Sequence, residues 1–307
     1  MLCLRFLFTY QNLGKWAGTP VAWIYALFFI YELGRCVGDL KFLLPLTILT
    51  ETPIWFFTAT FLVLVIYTAR AGLEVLCRVS GILLPVLILF ILLETMLLIV
   101  SKSLRFEYLT PIFGEGFQRV AENIWPTCIM QSYGESIDMA VFWFTLSKKE
   151  RLGRVCLGAT LFAGFFIILF DVLSITALGE DVFQAMIIPA FIVMRLVSVA
   201  DFLENLEVIG SIYFICTIFM KGTVQALAAA ICIRELTFAS KNNKAIWITA
   251  IFGYVVGLTL TSNFSEHLLV GIELIPKYLL LPICLIVPGI VLLLSLFAKA
   301  KERRILR

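Results

Sequence analysis

Apolar runs of bilayer-spanning length follow one another along almost the whole of this chain, and that single feature removes most folds from consideration. Lipid offers no partner for backbone N–H and C=O groups, so a spanning segment must be a helix bonded to itself or a strand in a closed barrel. With 61% hydrophobic residues, 15% charged residues and a mean hydropathy of +1.02 over 307 residues, the chain carries more apolar surface than a water-soluble core can hide. An all-α polytopic integral membrane protein is expected. A crossing takes about 20 residues, so roughly eight fit, with no soluble domain left over.

Proline, glycine and charge clusters divide the runs into candidate helices at about 16–44, 53–69, 72–100, 120–146, 155–178, 203–236, 245–261 and 268–298, within a single transmembrane domain, 1–307. Residues 2–8 form an apolar patch too short to span and lacking the small-residue cleavage site of a signal peptide. Basic residues gather in alternate connections: Lys148, Lys149, Arg151 and Arg154, then Lys241 and Lys244, then Lys299, Lys301, Arg303, Arg304 and Arg307. Such loops stay cytoplasmic, which puts both termini inside. The stretch 101–119 then becomes an outer loop packed over helix ends.

The net charge of +3 gives no sign of nucleic-acid binding. The eight cysteines lie singly without zinc or redox spacing and read as small core residues, and His267 is the only histidine. No metal site, cofactor site, nucleophile–base pair or phosphate loop is evident, so the chain reads as a protein other than an enzyme.

One interruption stands out. Gln131, Ser132, Tyr133, Gly134, Glu135 and Ser136 fall inside the fourth candidate helix, and a polar, glycine-centred break at membrane depth survives where protein or a water-filled cavity covers it. Transporter folds place their ligands at such unwound points, between half-helices with free amide and carbonyl ends. Glu135 would there receive an ammonium group or a proton, or cap the second half-helix.

Other intramembrane charges allow two readings each. Glu32, Arg35 and Asp39 share a helix face at three- and four-residue spacing, as a self-neutralising ion cluster or a gate. Asp171 is either a neutral, hydrogen-bonded side chain or a proton relay. Glu204 and Glu207 suit the positive end of the sixth helix as caps. Lys221, halfway along that helix, faces a polar interior or a partner protein. Glu273 and Lys277 read as an intrahelical pair, and Tyr31, Trp55, Trp125 and Trp143 as interface anchors or core.

Several stretches together resemble the B-subunit family of bacterial spore germinant receptors, the GerB-type spore germination proteins, among the amino acid/polyamine transporter-like membrane proteins. They are Leu13, Gly14, Lys15 and Trp16; the Glu51, Thr52, Pro53 turn; residues 70–78 with Pro85; Gly134 and Glu135; and the run 195–204 from Arg195 to Glu204. The resemblance implies a LeuT-like fold of ten helices in two inverted repeats. The eight spans match the family's third to tenth helices, so the first two, including the first broken one, would lie upstream or be absent from a truncated relative. It further implies a place in the inner spore membrane, A and C receptor subunits as partners, and a small nutrient as ligand. Tyr133, Gly134 and Glu135 are the site residues carried over, with Tyr31 as a neighbour. A ligand-sensing subunit is the leading expectation. A secondary transporter coupled through Glu135 or Asp171, and a scaffold that binds no small molecule, are the alternatives.

Overall fold

The computed structural model describes residues 14–47, 51–112, 114, 116–146, 149–186, 189–196, 207–237 and 244–305. Among them every regular element is a helix. The longer helices are α1 (Gly14–Thr47), α2 (Ile54–Ala71) and α3 (Leu73–Val100), followed by two short ones, α4 (Phe117–Asn123) and α5 (Ile129–Tyr133). Then come α6 (Leu152–Leu178), α7 (Glu180–Ala185), α8 (Pro189–Leu196), α9 (Glu207–Thr237), α10 (Lys244–Thr259), α11 (Phe264–Leu269) and α12 (Val287–Ile305). The chain is an all-α polytopic membrane protein. Six helices among the described residues are long and apolar enough to cross a bilayer, or seven if α10 and the bent segment after it count as one broken span.

Polarity sorts the helices. The α1 and α9 spans have mean hydropathies of 1.4 and 1.6 and are largely buried by protein, whereas α3, at 2.9, packs little of its surface. In lipid the outermost helix must be the most apolar, while inner helices keep polar side chains that bind their neighbours. α1 is the axis: Tyr25, Phe29, Leu33, Val37 and Leu40 recur at helical spacing and meet Phe57, Phe61 and Val65 of α2 and the alanine-rich stretch of α9. Ala226, Ala228, Ala229 and Ala230 let that helix come close.

The tightest crossing joins α1 to α10. Gly34 on α1 and, four residues apart on α10, Gly253 and Gly257 line it. A Cβ on Gly257 would lie 2.6 Å from the Gly34 carbonyl oxygen, and one on Gly253 would lie 2.7 Å from Leu33 Cδ2. Only bare backbone fits there, as in close helix pairs in membranes.

The last two expected crossings include a sharp bend. After Thr259 the chain turns by 118° into α11 and a wide π-turn, Val270–Leu274. Lys41 of α1 bonds the Leu258 and Thr261 carbonyls at 3.0 and 2.9 Å, supplying donors to the orphan end of α10. Asn263 accepts from the Glu266 amide while the Glu266 carboxylate accepts from the Ser262 amide, a reciprocal cap that starts α11. Pro276 and Pro282 each remove a donor from the ladder, and Pro276–Ile286 winds as a wide π-helix.

The expected outer loop packs as a short 3₁₀ turn, Phe106–Leu109, beside the end of α6, with the Arg105 amide on the Thr176 carbonyl. Leu98, Leu173, Leu178, Val193 and Met194 form a second apolar cluster at that end.

Several expectations change. The 120–146 segment, expected as two half-helices broken near 131–136, is a chain of several short pieces. Cys36 and Cys232 are buried, but Cys77 and Cys128 are exposed, because in a bilayer an apolar thiol needs no core. Glu273 and Lys277 are both exposed and form no pair with each other. Asp171 is exposed on α6 with no bonded partner among the described residues, against the expected buried one. The 197–204 part of the family-like run, with Glu204, and the Leu13 position lie outside the described residues.

Candidate functional site

The interrupted segment deviates twice. At Trp125 the backbone leaves the helical region (φ −114, ψ 129) inside the π-turn Ile124–Cys128. The cause is Pro126, whose ring clashes with a helical residue before it. At Tyr133 the backbone opens to φ −128, ψ −9, and Gly134–Thr145 then winds as a 3₁₀ helix of 12 residues. So long a 3₁₀ run is uncommon and marks a hinge or a strained site. The chain therefore narrows at Gly134; it does not part into two half-helices with free ends, and the sharp bend lies earlier. Gly134 packs against Leu280, where a Cβ would stand 3.3 Å from the leucine Cβ.

The 3₁₀ winding aligns Glu135 and Asp138, three residues apart, on one face toward α9. There the Lys221 ammonium donates to Glu135 Oε1 at 2.8 Å and stands 3.6 Å from Glu32 Oε2 of α1. One turn along α9, Gln225 Nε2 donates to Asp138 Oδ2. Two rungs thus join the 3₁₀ segment to α9, and Glu32 closes the first from the axial helix. Lys221 faces the polar interior, one of the two readings open to it. Pairing offsets the cost of charge at this depth only in part, since breaking such a pair strands the remaining partner.

Arg35 and Asp39 belong to a separate network. Arg35 Nη1 donates to the His267 carbonyl at 3.0 Å and lies 3.2 Å from His267 Nδ1, while His267 Nε2 meets Asp39 Oδ1 at 2.7 Å. Thr261 Oγ1 completes the ring contacts at 3.2 Å. The expected mutual pairing of Glu32, Arg35 and Asp39 is therefore replaced by contacts to other helices: Glu32 to Lys221, the other two to His267. Gly38 makes the space, since a Cβ there would stand 2.7 Å from the imidazole.

Of the expected site residues, Glu135 meets Lys221, and Gly134 sits beneath it against Leu280. Tyr133 is half-buried and turns its hydroxyl onto Gly164 of α6, where a Cβ would collide with it. Tyr31 is half-buried, packed on the main core and one turn before Arg35 on α1. Glu32, Asp138, Gln225 and His267 were not among the expected site residues. Asp138 carries a signal that periodicity could have used, three residues after Glu135; the His267 partners lie 228 and 232 positions away.

With this geometry in place, comparison with known proteins identifies the family. The chain matches the family described as Spore germination protein over residues 5–265. It belongs to that family. It is 25% identical over 292 residues to Spore germination protein KB of Bacillus subtilis (strain 168), covering 94% of this chain and 78% of that protein. It is 27% identical over 287 residues to the Putative spore germination protein YfkT of the same organism, covering 91% of this chain and 75% of that one. No solved structure matches the chain. It is thus a multi-pass, germination-related membrane protein of permease-like type.

Proposed function

We propose that this protein is the membrane subunit of a spore germinant receptor, sensing a small nutrient of the amino acid class and triggering germination. The observation that carries the reading is the Lys221–Glu135 pair at the junction between α5 and the 3₁₀ segment. A charged pair at membrane depth, on a segment with unusual winding, supports a recognition site in a transporter-like bundle. A nutrient ammonium would compete with Lys221 for Glu135, and an arrangement that binds it better gains population as it binds. Tyr133, Gly134 and Glu135 are the ligand-binding residues in this reading, with Tyr31 of α1 as a neighbour candidate.

The receptor A and C subunits are its partners, and the inner spore membrane its location. The basic connections at Lys149, Arg151, Arg154 and Lys244 support cytoplasmic termini. Thermal unfolding of the purified receptor complex across amino acids and sugars tests the reading. Stabilisation by one or a few amino acids supports it, and a flat response across the whole panel with a folded complex contradicts it. The runner-up, a proton-coupled transporter, draws on the Lys221 position between two carboxylates. Ligand-dependent uptake into proteoliposomes would favour it over sensing.

A further inference from the structure

Near one end α2 and α10 touch through polar groups, with Thr58 Oγ1 3.4 Å from the Tyr254 hydroxyl. Toward their other ends a groove of about 500 Å³ opens between them, lined by Val63, Ile66, Tyr67, Arg70, Ala71 and Trp247. Ile66 is buried at its base, while Val63, Tyr67 and Trp247 remain 62, 73 and 45% exposed. Since α2 is long and apolar enough to cross a bilayer, that exposed face meets lipid rather than a protein core. One lining group, Arg70, is not apolar.

Along α2, Val63, Ile66, Tyr67 and Arg70 recur at three- and four-residue spacing, so apolar surface runs up one face of the helix and ends in a guanidinium. At about 1.5 Å of rise per residue, Arg70 stands about 10 Å along the axis from Val63. Arg70 is exposed, and among the described residues it has no hydrogen-bond or ion-pair partner. The acid nearest to it in sequence, Glu74, lies beyond the Gly72 turn, at φ 92, and pairs with Arg78 at 2.7 Å instead. Across the groove Trp247 sits in the first turn of α10, and the exposed Lys244 precedes it by three residues on the same face.

We propose that this groove binds an anionic phospholipid, its phosphate held by the Arg70 guanidinium and an acyl chain laid along Val63, Ile66, Tyr67 and Trp247. A guanidinium presents a planar fork of donors that matches phosphate oxygens in pairs. Tyrosine and tryptophan, each with an apolar body and a polar edge, suit the level where headgroup meets chain. Charge selects the class of lipid: Arg70 and Lys244 put two cations at this end of the groove, and a zwitterionic headgroup would bring an opposing cation of its own. A free phosphate would engage Arg70 and leave the apolar stripe below it without a role. The bound lipid bridges α2 and α10, so it stabilises the folded bundle. This site lies apart from the Glu135 cluster and is independent of the nutrient reading.

The full chain in an uncharged detergent tests it by thermal unfolding with added phosphatidylglycerol, phosphatidylcholine or glycerol phosphate. Phosphatidylglycerol should raise the midpoint by on the order of a few degrees, saturably, and the other two should not. Arg70→Gln should shift that response roughly tenfold or more to higher lipid concentration, and Trp247→Ala should weaken it, while Arg78→Gln, at the exposed arginine paired with Glu74, should leave it unchanged. Should Arg70→Gln fail to fold, native mass spectrometry of the unaltered chain from mixed micelles of the two lipids decides, with phosphatidylglycerol retained in preference. Equal midpoints with the two lipids, an equal response to glycerol phosphate, which would mark a free-phosphate site, an unchanged response in Arg70→Gln or Trp247→Ala, an equal loss in Arg78→Gln, or no preference in the retained lipid would each overturn the proposal.

Discussion

Lys221 and Glu135 meet at 2.8 Å across 86 positions of chain, and this contact ties the centre of α9 to the first turn of the 3₁₀ segment. A second carboxylate, Glu32, stands 3.6 Å from the same ammonium. The lysine is thus shared between a half-buried acid on the unusual segment and a deeply buried one on the axial helix.

Removing the cation should therefore cost more than removing one acid. Lys221→Met is expected to destabilise the bundle by about 2 kcal/mol, the range for breaking a buried pair reduced because the lysine is partly exposed. A double-variant cycle with Glu135→Gln should show a coupling of about 1 kcal/mol, measured by unfolding in detergent. Strict additivity would mean the contact contributes nothing.

The α1–α10 crossing should resist even one added methyl. Gly257→Ala is expected to lower stability by about 1–3 kcal/mol, since the new Cβ meets the Gly34 carbonyl and Val37 with no flexible neighbour to yield. Gly153→Ala, where a Cβ meets nothing within 4 Å, is the matched comparison and should change little or stabilise slightly. Equal effects at the two positions would contradict the close crossing.

His267 links α1 to the bend between α10 and α11. His267→Leu should cost about 2–3 kcal/mol, because it strips Asp39, Thr261 and one Arg35 contact of a shared partner. His267→Gln, which can still offer polar atoms, should cost less. Thermal midpoints of the two variants in one detergent compare them directly.

Asp171→Asn should leave the germination response unchanged at normal membrane abundance, since the side chain is bonded to none of the described residues. Loss of response with normal membrane abundance would restore a relay role to this residue.

How far the sequence could be read follows from the range of the interactions. Run length made the long helices legible, and the polar residues around Gly134 pointed to a segment that does change its winding there. The form of that change was not legible: Pro126 bends the chain one residue before itself, and a 3₁₀ helix leaves no pattern distinct from an α-helix over a few turns. Charges on α1 were visible at helical spacing, yet their partners lie on α9 and at His267, so local spacing favoured pairing that the tertiary contacts replace. Small residues at Gly34, Gly253 and Gly257 are visible in the sequence, but only the structure matches one helix to the other.

The central claim is that Glu135 recognises the nutrient, and the most direct measurement is the germination dose-response of spores carrying Glu135→Gln, with the protein quantified in the spore membrane. A response lost or shifted roughly tenfold or more to higher nutrient concentration, at normal abundance, is the expected result, because the change removes charge and keeps size. An unaltered dose-response at normal abundance would contradict the account.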